Sequence, residues 1–130
     1  MAQPAVIIYS SADVDKVPML PDNNTFTGTN IFSGQVSFTG GVLRTYVAKT
    51  ATYAAGTTDY VIDCTSGTFT VTLPTSVGMQ GKVYNIKNSG TGTITVATTS
   101  SQTIDADTTK TLLQWDNLQI VSTGVNWIIQ

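Results

Sequence analysis

The chain has 130 residues, 41% of them hydrophobic, which is enough for one domain with a modest core and a short extension. Charged residues make up 11%, the formal net charge is −2, and no run of Lys or Arg occurs, which excludes the basic surface of a nucleic-acid-binding protein. The single cysteine, Cys64, excludes an internal disulfide, and the lack of histidine excludes nucleophilic catalysis of the Ser-His type.

Residues 1–24 are predicted to form an extended arm. The prolines Pro4, Pro18 and Pro21 oppose a helix, and the apolar run 5–9 is too short for a signal sequence or a membrane span. The arm is too apolar for a solvated tail, so we favour docking on a partner, by strand addition or by filling grooves, over disorder. The residues assigned to this contact are Val6, Ile7, Ile8, Tyr9, Val17, Met19 and Leu20.

Residues 25–45 carry the tripeptide Phe-Thr/Ser-Gly three times, beginning at Phe26, Phe32 and Phe38. The interval of six is even, so an extended chain places all three rings, the Phe stripe, on one face together with Val36. A helix would rotate each ring by about 240° from the last. A single ribbon cannot bury such a stripe, and the natural partner is the same stripe of an identical chain. The alternative is a chance pattern in a linker rich in Thr and Gly.

Seven runs between about Tyr46 and Gln130 are predicted to be short strands. Phe69, Val71 and Leu73 alternate with threonines, which is the period-two pattern of a strand with one buried face. Turn-forming residues separate the runs and no helical pattern intervenes, which favours an antiparallel sandwich or barrel. The seven runs are residues 58–64, 68–73, 82–88, 93–98, 110–115, 117–123 and 125–130.

The candidate chemical groups are few. Cys64 lies in a strand pattern, where a lone cysteine is usually a small buried hydrophobic residue. The pair Asp105 and Asp107, or Asp59 with Asp63, could serve as catalytic carboxylates or hold Ca²⁺, but neither pair has the spacing of a dedicated site. Turn-forming aspartates are the preferred interpretation. We therefore predict no enzymatic activity, no metal and no cofactor.

Four aromatic residues could form a platform for a sugar: Tyr53, Tyr84, Trp115 and Trp127. Tyr84 and Trp127 each lie two residues before an isoleucine, so both are expected in the core. Trp115, which is followed by Asp and Asn, is the ring most expected to be exposed.

The order of three longer segments resembles a module of bacteriophage virion proteins. The segments are TVTLPTSVGMQGKVYNIKNSGTGTITV, then TIDAD, then LQIVSTGVNWII. A C-terminal β-sandwich module found on tail-fibre tips, head fibres and small capsid proteins has VTLP, here 71–74, then G-x-x-Y-x-I-K-N, here 81–88. An I-D turn and a closing G-x-N-W-x-I strand, here 124–129, follow. The match covers about residues 50–130, and the Phe-Thr/Ser-Gly repeats are similar to phage fibre shafts.

The resemblance implies an all-β homotrimer in three parts. These are the extended arm of residues 1–24, a short trimeric β shaft of residues 25–45 and a C-terminal antiparallel β-sandwich knob, jelly-roll-like, of residues 46–130. The trimer interface is predicted at Phe26, Phe32, Val36 and Phe38.

The short shaft is atypical of tail fibres and favours a capsid decoration (cement) protein or head fibre. Its arm would bind the major capsid protein or another virion protein, after synthesis in the cytoplasm of a bacterial host. The alternative is a tail-fibre tip that recognises a host-surface glycan. Neither interpretation involves nucleic acid or membrane insertion.

Overall fold

The computed structural model describes Gly28 and residues 31–130. The chain divides into two compact units, Met1–Thr39 and Gly40–Gln130. The described residues form nine strands, which all belong to the second unit, and they contain no helix, so none there could cross a membrane. The prediction of an all-β protein is therefore confirmed for the described residues.

The strands are short and follow one another closely. They are β1 (Tyr46–Lys49), β2 (Tyr53–Ala54), β3 (Val61–Cys64), β4 (Phe69–Thr72), β5 (Val83–Asn88), β6 (Ile94–Ala97), β7 (Thr109–Leu112), β8 (Asn117–Ser122) and β9 (Trp127–Ile129). Each of the seven predicted runs overlaps one of β3 to β9. The sequence pattern did not predict β1 and β2.

The strands form two mixed sheets, one with the order β1-β3-β5-β8-β9 and one with the order β2-β4-β6-β7. From β1 to β6, successive strands belong alternately to the two sheets. The chain therefore adds every second strand to the same sheet, and these strands run in the same direction. The pairs β1-β3, β3-β5, β2-β4 and β4-β6 are accordingly parallel. Only the pairs formed by β7, β8 and β9 are antiparallel. The prediction of an antiparallel knob is wrong for the first six strands.

One hydrophobic core contains side chains from both sheets. Along β5, Tyr84 and Ile86 are buried, whereas Val83, Asn85 and Lys87 are partly exposed on the other face. The four-stranded sheet contributes buried residues in the same alternating way. The two sheets are thus the layers of one sandwich, and each has an outer face that the core does not cover.

The loop after β5 packs backbone to backbone on the loop after β3. A Cβ atom placed on Gly92 would lie 2.0 Å from the carbonyl oxygen of Gly67, so only glycine fits at position 92. The buried side chain of Asn88 donates hydrogen bonds to the carbonyls of Gly92, at 2.8 Å, and Leu112, at 3.0 Å. This contact links the ends of both sheets.

A two-residue hairpin covers the free edge of β9. Ile104 and Asp107 exchange backbone hydrogen bonds, and Asp105 and Ala106 between them have φ of 45° and 71°. Positive φ at both central residues identifies a type I′ turn. The Asp105 carboxylate accepts the backbone N–H of Ile129 at 3.2 Å, so this edge of the sheet is closed to a further strand.

Candidate interaction surfaces

The arm residues assigned to virion docking lie outside the described residues. They are Val6, Ile7, Ile8, Tyr9, Val17, Met19 and Leu20. Phe26 of the predicted trimer interface also lies outside the described residues. Their predicted role stays a prediction.

The described part of the predicted interface is exposed. The exposed fractions are 66% for Phe32, 42% for Val36 and 70% for Phe38, and Ile31 beside them is 87% exposed. Residues 31–45 contain no strand. Within one chain, therefore, the two described rings of the Phe stripe are largely open to solvent.

Trp115 is the exposed tryptophan, as predicted, with 65% of its surface accessible. It occupies the third position of a turn in which the N–H of Asp116 donates to the carbonyl of Leu113 at 3.0 Å. Trp115 has φ of 73°, and the residue before it does not have positive φ. This is the signature of a type II turn, whose third position normally holds glycine or asparagine.

The Trp115 turn, residues 113–116, is fixed at both ends. The N–H of Trp115 donates to the carbonyl of Asn88 at 2.7 Å, and the N–H of Asn88 donates to the carbonyl of Asp116 at 3.0 Å. Lys87 donates a hydrogen bond to the carbonyl oxygen of Trp115. The Lys87 Nζ also lies 5.9 Å from the centroid of the indole ring, within range of a cation–π interaction.

A polar row leads from the Trp115 turn across the outer face of the five-stranded sheet. Asp63 on β3, Lys87 on β5 and Asn117 on β8 are neighbours in the strand register, each on the side away from the core. The Asp63 carboxylate accepts the hydroxyl protons of Tyr46, at 2.8 Å, and Ser89, at 2.5 Å. The hydrogen bond to Asp63 is the main reason that the pKa of Tyr46 is raised.

Asp59 belongs to a separate, buried network. Its carboxylate accepts the Tyr53 hydroxyl and the backbone N–H of Gly56, each at 2.8 Å. The hydroxyl of Tyr84 donates to the carbonyl of Gly56 at 2.8 Å, and burial raises the pKa of Tyr84 to about 12. Burial lowers the pKa of Lys82, which donates to the carbonyl of Asp59 at 2.5 Å. The network fixes the segment between β2 and β3.

The aspartate pairs do not form joint sites. Asp59 and Asp107 lie in turns, as predicted, and Asp107 is paired with Lys110 at 2.7 Å. Asp105 shares the turn of Asp107 but accepts a backbone N–H. Asp63 lies in β3, so the prediction of a turn is wrong for this residue. Among the residues that the structure describes, no cluster of three or more Asp or Cys side chains is suited to a metal ion.

The predicted burial of three further residues is confirmed. Tyr84 and Trp127 are fully buried, with ring centroids 5.5 Å apart. Cys64 is also fully buried, and desolvation raises the pKa of its thiol to about 11. The thiol is therefore protonated at neutral pH.

Sequence reasoning identified Trp115 but missed the polar row beside it. Lys87 alternates along β5 with the buried Tyr84, Ile86 and Asn88, so the sequence alternation predicts that Lys87 faces outward. Its neighbours on β3 and β8 depend on which strands pair, and Tyr46 lies on a strand that was not predicted.

No protein-family model matches the chain, and comparison with curated proteins and with solved structures finds no significant similarity. The resemblance to phage virion modules stays a prediction from sequence motifs.

Proposed function

We propose that this protein is a non-enzymatic structural protein of a bacteriophage virion. It forms a homotrimer that decorates the capsid as a cement protein or head fibre, and the N-terminal arm anchors it to the major capsid protein or another virion protein. The protein is made in the cytoplasm of the bacterial host. The observation that carries the proposal is the exposure of Phe32 and Phe38, at 66% and 70%.

Exposed rings at a fixed interval favour self-association. Full burial of a phenylalanine side chain stabilises by about 1.5–3 kcal/mol, and a trimer would bury the ring of each chain against its counterparts. Val36 lies between the two described rings in the alternation and is also exposed, at 42%. A continuous apolar stripe of this kind suits a shaft in which identical chains share one axis.

The chemical groups of the second unit support a structural role. Asp59 and Asp105 accept backbone N–H groups, Asp107 is paired with Lys110, and the Cys64 thiol is buried. These groups hold loops and turns in place. Asp63 is the exception, because its carboxylate faces outward on a sheet.

Trimerisation would make weak arm contacts effective. Three arms that bind at a point of three-fold or quasi-three-fold symmetry act together, because the first contact raises the effective concentration of the other two. A short shaft is sufficient for this task, because the arms need only reach the surface directly below the trimer.

Deletion of residues 1–20 tests the anchoring role. We expect the truncated protein to remain folded and trimeric but to lose binding to purified phage particles, measured by cosedimentation with native protein as the control. A truncated protein that still saturates the particles would contradict the arm mechanism. Binding of residues 43–130 alone to host cells would instead favour a tail-fibre tip, the second candidate, which the exposure of Trp115 supports.

A further inference from the structure

Trp115 holds a backbone conformation that is unfavourable for its side chain. A left-handed conformation costs roughly 1–2 kcal/mol for a residue with a Cβ atom, and bulky residues adopt it rarely. Burial usually offsets such strain, but Trp115 is 65% exposed, whereas the other tryptophan, Trp127, is fully buried. The fold therefore gains little from the indole ring. Strained and exposed residues of this kind are characteristic of binding sites.

The surroundings of the ring are fixed and polar. Five hydrogen bonds hold the Trp115 turn on the end of β5 and within itself, so the indole projects from a rigid support. The polar row of Asp63, Lys87 and Asn117 runs across the same end of the outer sheet face. Asp63 already accepts two hydroxyl protons, and a carboxylate has roughly four acceptor sites, so it can accept further donors.

We propose that Trp115 and the polar row form a carbohydrate-binding site for a hexopyranose unit of a glycan. The apolar C–H face of the sugar ring stacks on the indole. The sugar hydroxyls donate to the Asp63 carboxylate and accept from the Lys87 ammonium and the Asn117 amide. This site deepens the second candidate function, recognition of a host-surface glycan, and rests on that candidate rather than on the arm or the Phe stripe.

The charges of the polar row favour a sugar over a protein surface. Charged residues are depleted at the centres of protein–protein interfaces, because burial against apolar groups removes their hydration. Sugar hydroxyls donate and accept, so both Asp63 and Lys87 remain hydrogen-bonded when a sugar replaces water. The single indole supplies a flat platform one ring wide, which matches one pyranose unit.

Glycan binding of the full-length protein tests the proposal. The probes are an array of hexose-containing oligosaccharides and, in solution, the methyl glycosides of glucose, galactose, mannose and N-acetylglucosamine at millimolar concentration. Because Trp127 is buried, a change in the accessible tryptophan fluorescence reports on Trp115. We expect at least one glycan to bind and to protect this fluorescence from an aqueous quencher.

Three variants locate the site. Trp115→Ala should weaken glycan affinity by at least about tenfold. Trp115→Gly should weaken it equally while relieving the backbone strain. Thermal unfolding of both variants distinguishes a loss of affinity caused by misfolding from one caused by removal of the ring. Asn117→Ala should also weaken binding. Val125→Ala, at an exposed apolar residue outside the polar row, should leave affinity unchanged.

Three results would overturn the proposal: no glycan binds, Trp115→Ala binds as well as native protein, or Trp115 is shielded from the quencher before any glycan is added. The last result would mean that a protein contact covers the ring. Trp115→Ala should still form trimers and bind particles, so failure of the sugar site and failure of the proposed function are separate outcomes.

Discussion

At the scale of single residues, five described positions other than glycine have a left-handed backbone: Ser100, Ser101, Asp105, Ala106 and Trp115. Ala106, with φ of 71°, lies in the hairpin that covers β9, and Trp115, with φ of 73°, lies in the turn between β7 and β8. Of the five, only Trp115 presents a large exposed side chain. The strain at Ala106 is a cost of the turn alone, whereas we assign the strain at Trp115 to binding.

The substitution Ala106→Gly should stabilise the protein by about 0.5–1 kcal/mol. Glycine adopts positive φ without a Cβ clash, and the relief of this clash outweighs the larger conformational entropy that glycine has in the unfolded chain. Urea denaturation measures the difference. Ala97→Gly, within β6, serves as the control and should destabilise. An equal loss of stability in both variants would mean that the Ala106 turn carries no strain.

The Cys64 thiol should make the free energy of unfolding decrease at alkaline pH. Its pKa is about 11 in the folded protein against 9.0 normally, so between these values the folded state holds a proton that the unfolded state releases. This contribution to stability is present below pH 9 and is lost as the pH rises towards 11. Tyr84, with a pKa of about 12 against 10.0, acts in the same direction at higher pH, and Lys82, whose pKa is lowered, acts in the opposite direction.

A comparison with Cys64→Val isolates the thiol. The free energy of unfolding of native protein minus that of the variant should be constant below pH 9 and should decrease between pH 9 and pH 11. Denaturant titrations across this range give the difference directly. A difference that does not change with pH would show that the thiol is not desolvated.

At the scale of elements, the loops decide how the strands are arranged. The loop after β5 lies so close to the loop after β3 that the two backbones touch at Gly92 and Gly67. This contact joins parallel strands of the five-stranded sheet to the first residues of β4 and β6. Gly92, which the sequence pattern marks only as a turn residue, is thus required for packing.

Gly92→Ala should destabilise by more than about 2 kcal/mol, because the new Cβ would meet backbone atoms that cannot move independently of both loops. Gly41→Ala is the matched control, because a Cβ there would meet nothing within 4 Å and should change stability little. Thermal unfolding of the two variants compares them. Equal melting temperatures would contradict the close packing of the loops.

The sequence predicted the strands with buried alternation and missed those without it. Phe69 and Val71 on β4 alternate with threonines, and this pattern located the strand correctly. Tyr46 on β1 is exposed, and β2 has two residues, so neither strand shows a periodic signal. Parallel pairing could not be predicted, because turn residues mark where the chain reverses but not which sheet it then joins. The polar row depends on this pairing and was missed with it.

At the scale of the whole molecule, the protein as a single chain leaves apolar side chains exposed at regular spacing. Phe32 and Phe38 belong to the first unit, and the core of the second unit is built from residues 55–127, with Val47, Tyr53 and Met79 packed against it. We propose that identical chains cover these two rings.

Phe32→Ser combined with Phe38→Ser should therefore dissociate the assembly or leave it prone to aggregation, because each chain would lose the apolar contacts of two rings. Sedimentation velocity of the double variant measures the change. Val125→Ser, which removes a 68% exposed apolar residue of the second unit, should sediment as native protein does. Identical sedimentation of all three proteins would assign the Phe stripe no part in assembly.

The most direct test of the central claim is the mass of the native protein in solution, determined by light scattering at micromolar concentration. The account predicts a single species of three times the chain mass of 13.8 kDa. A stable species of 13.8 kDa would contradict it.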